Sequence, residues 1–344
     1  MDGGGQRLKA FRRALEASGL DLQIVGLGPR GTSADHVASS LLHRVKRRLL
    51  PVPLRRRAEA ELAGVDGGGP IVSLVPSANR WALRNNPTWL DYPDLWSDIA
   101  VNHSATVDPI SSICNRGQGR LWAAREANEY ALANALTVAS WSDHMKIGRD
   151  SVWLPTPVIE SLESLPNRRP SAPPDSGVVY GMIGNFDYPP NRDAYDRLIR
   201  QWLPALLPSA HRIVVAGFGS EGLPHAMNVD IIGPVNRVAD FYDLVDVALA
   251  PIERGGGMKV KVVEAMMHGV PVIAAEHAKE GLPHALGAEC IGLNVLSRGV
   301  RDVASSFRDP RENPEVARAL DGFTFKRFQE TVDNLWRERM VPHP

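Results

Sequence analysis

Residues 251–282 read PIERGGGMKVKVVEAMMHGVPVIAAEHAKEGL and concentrate the chemistry of the chain. Three glycines, Gly255, Gly256 and Gly257, lead through Met258 into an almost wholly apolar segment. It carries Lys259, Lys261 and Glu264 and ends at Gly269. A glycine-rich turn entering a helix leaves N–H groups unbonded at the positive end of the helix dipole, where an anion is held. Two nearby lysines add point charge, and an acid one or two turns in can accept hydroxyls. Together these residue types suit the diphosphate and ribose of a nucleotide.

The helix expected here is apolar on nearly every side, through Val260, Val262, Val263, Ala265, Met266 and Met267. A charged residue on a buried helix is either paired or functional. Two readings stay open. Lys261 and Glu264, three apart, pair with each other; or Glu264 meets ribose hydroxyls while Lys259 serves the diphosphate. One such contact, at about 4 Å and an effective dielectric near 20, is worth roughly 4 kcal/mol before desolvation. Lys259 and Lys261 lie about 200° apart on a helix, so both cannot face one phosphate equally. Arg254 is a further cation, or an ordinary solvated loop residue.

This stretch resembles the donor-site signature of retaining GT-B glycosyltransferases of family 4, in the subgroup reading G-G-G-x-K-x-K-x-x-E-A-M-x-x-G-x-P-V-V and then E-G-L. The resemblance extends upstream through Gly181-Met182-Ile183-Gly184, Pro190-Asn191, Ala194, Trp202, Pro204 and Ile213 to Ala216. Asp230 to Gly233 and Asp246 to Pro251 follow in order. It covers roughly residues 178–285; the N-terminal half matches in outline. The resemblance implies two Rossmann-like α/β domains with parallel sheets facing a cleft. It further implies sugar transfer from a nucleotide sugar to an acceptor hydroxyl, with retention at the anomeric carbon. The acceptor class it leaves open: a sugar, a lipid-linked molecule or a small molecule. Donor contacts fall to Gly184, Asn185, Asn191, Gly217, Gly219, Arg254, Gly256, Gly257, Met258, Lys259, Lys261 and Glu264. Lys259 would also stabilise charge on the departing diphosphate.

The chain departs from the broader family. Most members carry Glu, seven residues, then Glu; counting back from Glu264, the first position is Gly256. Many also carry Arg and Lys in the loop after the first donor-domain strand, where Asn185 and Asn191 stand here. Two cations and one carboxylate are missing, and Lys259 and Lys261 are the replacements the sequence offers. No Asp-x-Asp triplet occurs, so no metal or other cofactor is expected. Two other readings stay open: a nucleotide-sugar epimerase or hydrolase of the same fold, and a non-catalytic relative that binds sugar or a partner protein.

Elsewhere the signals are thinner. Asp91 and Asp94 follow an apolar strand where many relatives place a histidine or acid near the acceptor. They could orient the acceptor hydroxyl or take its proton, or serve as turn acids. His103 is a weaker candidate. Gly26 to Gly31 and Gly217 to Gly222 both match G-x-G-x-x-G, but neither has the helix and distant acid of a dinucleotide site. The run from His43 to Arg57 carries seven Lys or Arg and no acid. It reads as a solvated loop, a binder of an anionic acceptor, or a peripheral contact with anionic lipid.

The 344 residues suggest about two domains, and zero formal net charge argues against a nucleic-acid binder. Two cysteines, Cys114 and Cys290, do not make a disulfide framework. With no apolar run of membrane-spanning length and no signal-peptide core, the expectation is a cytoplasmic enzyme, with the inner membrane face as the peripheral option.

The expected layout is an acceptor domain over 1–159, a linker over 160–176, a nucleotide-sugar domain over 177–313 and a helical tail over 314–344 that crosses back. A first helix is expected from Arg7 to Ala17 with Leu8, Phe11 and Leu15 on one face, then a strand from Leu22 to Val25. Gly119 to Leu132 reads as a helix packed through Leu121, Ala124, Asn128 and Leu132. Gly3 to Gly5 looks like a glycine loop whose preceding strand is absent, which suggests a late start and a first domain lacking that strand.

Overall fold

The computed structural model describes residues 3–24, 69–76, 78–84, 86–104, 109–162, 177–208, 210–294 and 308–341. Two compact units emerge. One comprises Met1–Ala10 and Pro155–Phe328, the other Phe11–Leu154 and Gln329–Pro344. Each is built on a parallel sheet. The expected segments 25–31, 43–57 and most of the 160–176 linker lie outside the described residues.

The larger unit holds β5 (Val178–Ile183), β6 (Ala210–Ala216), β7 (Val229–Gly233), β8 (Val247–Ala250) and β9 (Val272–Ala274), in the spatial order β7-β6-β5-β8-β9. Neighbouring strands are parallel throughout. Helices intervene between successive strands, so central strands are covered on both faces and read as continuous apolar runs. β8 and β9 are buried at every position, whereas β7 alternates because it is the edge, with Asp230 and Ile232 facing outward. Strand order reverses between β5 and β8. That reversal is where α/β sheets open a crevice at the strands' carboxyl ends. The loop after β5 carries Gly184 to Tyr188, and the loop after β8 carries Pro251 to Lys259.

The helix Val260–Met267 fills the space beside β8 and β9. Val262, Val263, Ala265, Met266 and Met267 are all buried. It stops at Gly269, whose φ of +71° admits the reversed turn, with Val270 N bonding to Ala265 O at 2.9 Å. Arg311 reaches the Met267 carbonyl and pairs with Asp309, pinning the helix end.

The smaller unit orders β1 (Ile71–Ser73), β2 (Thr88–Tyr92), β3 (Ala135–Val138) and β4 (Val152–Trp153) sequentially, all parallel. Ser140 caps the helix Trp141–Ile147 by accepting from Asp143 N. The helix Pro109–Tyr130 corrects an expectation. Its inward face is Trp122, Glu126 and Glu129, while Leu121 and Leu132 are exposed. The glutamates are buried because each satisfies several donors. Glu126 accepts from Trp96 N, Ser97 N and Ser97 Oγ, capping the helix Trp96–Ser104 from outside. Glu129 accepts from Asn79, Tyr92 and Arg125. Replacing Glu126 by alanine is expected to lower the unfolding free energy by about 2 kcal/mol, since three donors lose one acceptor. Urea unfolding would show a lower midpoint at unchanged slope.

Three further expectations are corrected. Gly3 to Gly5 form the first turn of the helix Gly3–Ala17 rather than a loop. That helix buries Arg7, Ala10, Phe11, Ala14 and Leu15 and exposes Leu8, because Arg7 takes the inward place with its guanidinium on Thr156 Oγ1. Residues 22–24 are not a strand.

Candidate functional site

The two loops at the strand-order reversal are stitched together. Arg254, in the loop after β8, pairs with Asp193 on the helix Pro189–Arg197 that follows β5. Arg197 of that helix pairs in turn with Glu253. Lys261 Nζ donates to Asn191 Oδ1 at 2.7 Å, and Asn191 Nδ2 donates to Asn185 O at 2.7 Å. Asn191 is one of the two positions where the resemblance led us to look for a cation. The structure delivers one there from a different element.

Glycine is required where these loops meet. At Gly184 an added Cβ would stand 3.0 Å from Lys261 Nζ. Gly217, after β6, has φ +121°, and a Cβ there would lie 2.0 Å from the Gly184 carbonyl oxygen. Gly219, at φ +76°, brings the backbone against Asp187 Oδ1. Gly217 N bonds to Gly233 O and Gly184 N to Ala216 O, so the ladder continues past the strand ends. Gly217 to Gly222 is thus a strand-end turn, followed by a single 3-10 turn at Ser220–Gly222.

Lys259 takes an unexpected place. It is the residue preceding the helix Val260–Met267 and is buried. Its ammonium turns back into the glycine loop, donating to the carbonyls of Gly255 at 3.1 Å, Gly256 at 3.4 Å and Gly257 at 2.8 Å. The described peptide bonds include no cis bond, and a planar trans peptide sets N–H opposite to C=O. With three carbonyls drawn to one ammonium, the N–H groups of Gly256, Gly257 and Met258 point away from it. Among the described residues they donate to no backbone acceptor. Successive outward N–H groups at a helix start form an anion-binding concavity.

On the helix that follows, Lys261 and Glu264, continued by His268 just past its end, form the one polar stripe. Burial pushes the Glu264 carboxyl up to about 7, with Lys261 pulling it back down. Burial lowers the Lys261 ammonium to about 8, against the opposing pull of Glu264. Tyr242 supports the stripe. Its hydroxyl donates to Lys261 O at 3.1 Å and its ring stacks on His268. His277 is a participant that sequence reading passed over. It belongs to the short helix Glu276–Lys279 after β9, and its Nε2 lies 2.9 Å from Gly255 O.

In the other unit, Asp91 lies on β2 at 1% exposure, where its carboxylate accepts from Thr137 Oγ1 at 2.6 Å. Thr137 accepts in turn from Trp89 Nε1, so Asp91 ends a buried hydrogen-bonded chain. Asp94 is half-buried in the turn after β2. The nearby Asp143 carboxyl is pushed up to about 6 by burial and by Asp98, with Asp94 and Glu126 adding and Lys146 opposing. The His103 side chain is outside the described residues.

Residues 177–305, less than half the chain, match the model of the family Glycosyl transferases group 1. Among curated proteins, none matches. Among solved structures, that of TarM superposes with a TM-score of 0.52 at 12% identity, covering 78% of this chain and 55% of that one. The chain therefore spans about half the length of that relative. HepE of Anabaena in complex with UDP superposes with a TM-score of 0.49 at 13% identity, covering 81% of each chain. The two parallel α/β units together with the TarM likeness fit the GT-B fold of two Rossmann-like halves.

Proposed function

We propose that the larger unit binds a nucleoside-diphosphate sugar and that the protein transfers this sugar to an acceptor hydroxyl. The observation that carries the reading is the arrangement at the strand-order reversal. Three outward N–H groups in the loop after β8 and the Lys261 ammonium, held on Asn191 after β5, meet there, with Glu264 one turn further along the helix of Lys261 and interacting with it. The match of residues 177–305 to the glycosyltransferase family model supports it.

In this reading the diphosphate rests on the N–H groups of Gly256, Gly257 and Met258, with Lys261 beside it. As the bond to the sugar breaks, negative charge grows on the departing diphosphate. Fixed dipoles and an ammonium already aimed at it stabilise that charge most in the transition state. Glu264 accepts the ribose hydroxyls. No divalent ion is assigned to the diphosphate, and turnover is expected to survive EDTA. Transfer proceeds with retention at the anomeric carbon, with a sugar, lipid-linked molecule or small molecule as acceptor. Asp94, the more accessible of the two acids considered for the acceptor, stays in this reading; Asp91 supports the sheet. A cytoplasmic location, with residues 43–57 resting on anionic lipid, completes it.

The test is a thermal-shift panel of UDP, GDP, ADP, dTDP and their sugars, followed by product analysis. A ligand raises the melting temperature by an amount that grows with the logarithm of its concentration over its dissociation constant for the folded state. The proposal expects one base to stand out, and a glycoside to form only when acceptor is added. Free nucleotide plus an altered sugar without acceptor would mean epimerase or hydrolase chemistry instead. Binding without turnover on any acceptor would mean a non-catalytic relative.

A further inference from the structure

The Gly255 carbonyl is held from two sides. Lys259 Nζ donates to it at 3.1 Å from the same loop, and His277 Nε2 lies at 2.9 Å from a different element. A carbonyl oxygen only accepts, so Nε2 carries the hydrogen. The other ring nitrogen, Nδ1, stands 2.9 Å from Glu280 Oε2; a carboxylate also only accepts, so the ring holds both partners and keeps this orientation with a hydrogen on each nitrogen. The backbone they act on has little preference of its own. Gly255 sits at φ +114° and Gly257 at +63°. Glycine samples many conformations at similar energy, so external bonds decide which one persists.

We propose that His277, oriented by Glu280, is a positioning residue for the diphosphate site. It locks the Gly255–Gly256 peptide so that the Gly256 N–H faces the ligand side. Lys259 does the same for the next two peptides. In this arrangement neither side chain touches phosphate; both act through the loop. The inference rests on the nucleotide-binding reading above and assigns that site a residue from β9's side of the sheet. The gain is pre-organisation. A glycine loop fixed before binding does not lose its freedom on binding.

Calorimetric titration with UDP, GDP, ADP and dTDP tests this on the full chain. Against the nucleotide that wild-type protein takes up, His277→Leu is expected to bind about tenfold more weakly, the size of one lost hydrogen bond to the loop. His277→Gln, whose amide N–H can reach the same carbonyl, is expected to recover to within about threefold. Melting temperatures of the ligand-free variants should stay close to wild type, which a purely structural role would not allow. Equal affinity in wild type and His277→Leu overturns the proposal. So does His277→Gln binding as weakly as His277→Leu. Wild-type protein that takes up none of the four nucleotides overturns the site reading along with it. That outcome is distinct, because a failure of the clamp alone leaves wild-type binding in place.

Discussion

Replacing Glu264 by alanine is expected to lower turnover at least about tenfold while the fold survives. The buried residues of its helix are Val262, Val263, Ala265, Met266 and Met267, and these hold the helix in place without Glu264. The carboxylate itself sits at a cost. Burial raises it to about 7 from an ordinary 4.5, and burial lowers the neighbouring Lys261 to about 8 from 10.5. For Glu264 the folded value is raised, so its contribution to stability is full below about 4.5 and is lost as pH climbs through about 7. For Lys261 the folded value is depressed, so its contribution is full above about 10.5 and is lost as pH falls through about 8. The ligand-free protein thus gains least from this pair between about 7 and 8. That is the window in which the pair is charged and suits a ribose and a phosphate. Nucleotide affinity should peak there, and Glu264→Gln should flatten the acid limb while leaving the alkaline one. Titrations on both proteins across that range check it; an acid limb unchanged in Glu264→Gln would remove Glu264 from the site.

Gly217→Ala carries the largest expected effect on stability, a loss of at least about 3 kcal/mol. Two independent penalties combine. The backbone at φ +121° is a conformation L residues rarely adopt, and the new Cβ would stand 2.0 Å from the Gly184 carbonyl oxygen. Backbone, unlike a flexible side chain, cannot swing aside. Relief would require β5 and β6 to part at their carboxyl ends, where the Gly184 to Asn191 loop is anchored. Urea unfolding would show the loss, and nucleotide binding should weaken in parallel. A midpoint within experimental error of wild type would mean that the two loops do not approach so closely.

The larger unit was legible because its central strands announce themselves. Val247 to Ala250 is an apolar run buried on both faces and Val178 to Ile183 one buried on one face and half-buried on the other, and short runs of that kind between helical patterns have few other readings. The helix beyond the glycines was legible for the same reason, being apolar on all sides but one. The helix Pro109–Tyr130 was misread because periodicity treats hydrophobicity as burial. Its inward face carries Glu126 and Glu129, held there by donors from Trp96, Ser97, Asn79 and Tyr92, all distant in sequence. Leu8 failed likewise, because Arg7 occupies the inward position by reaching Thr156.

Within the site, residue types were readable and directions were not. Helical spacing showed that Lys259 and Lys261 could not serve one phosphate equally. It did not show that Lys259 precedes the first turn and curls onto the loop's own carbonyls. His277 left a faint trace, three residues before Glu280 just beyond a buried strand. Its link to Gly255 spans 22 residues and appears only once β8 and β9 are paired.

Amide hydrogen exchange across residues 255–260, with and without the nucleotide that the panel selects, tests the central claim most directly. If the loop cradles a diphosphate, the Gly256, Gly257 and Met258 amides exchange rapidly in the free protein and slow markedly on binding. Saturating nucleotide that leaves this segment unprotected, while slowing exchange elsewhere, would contradict the account.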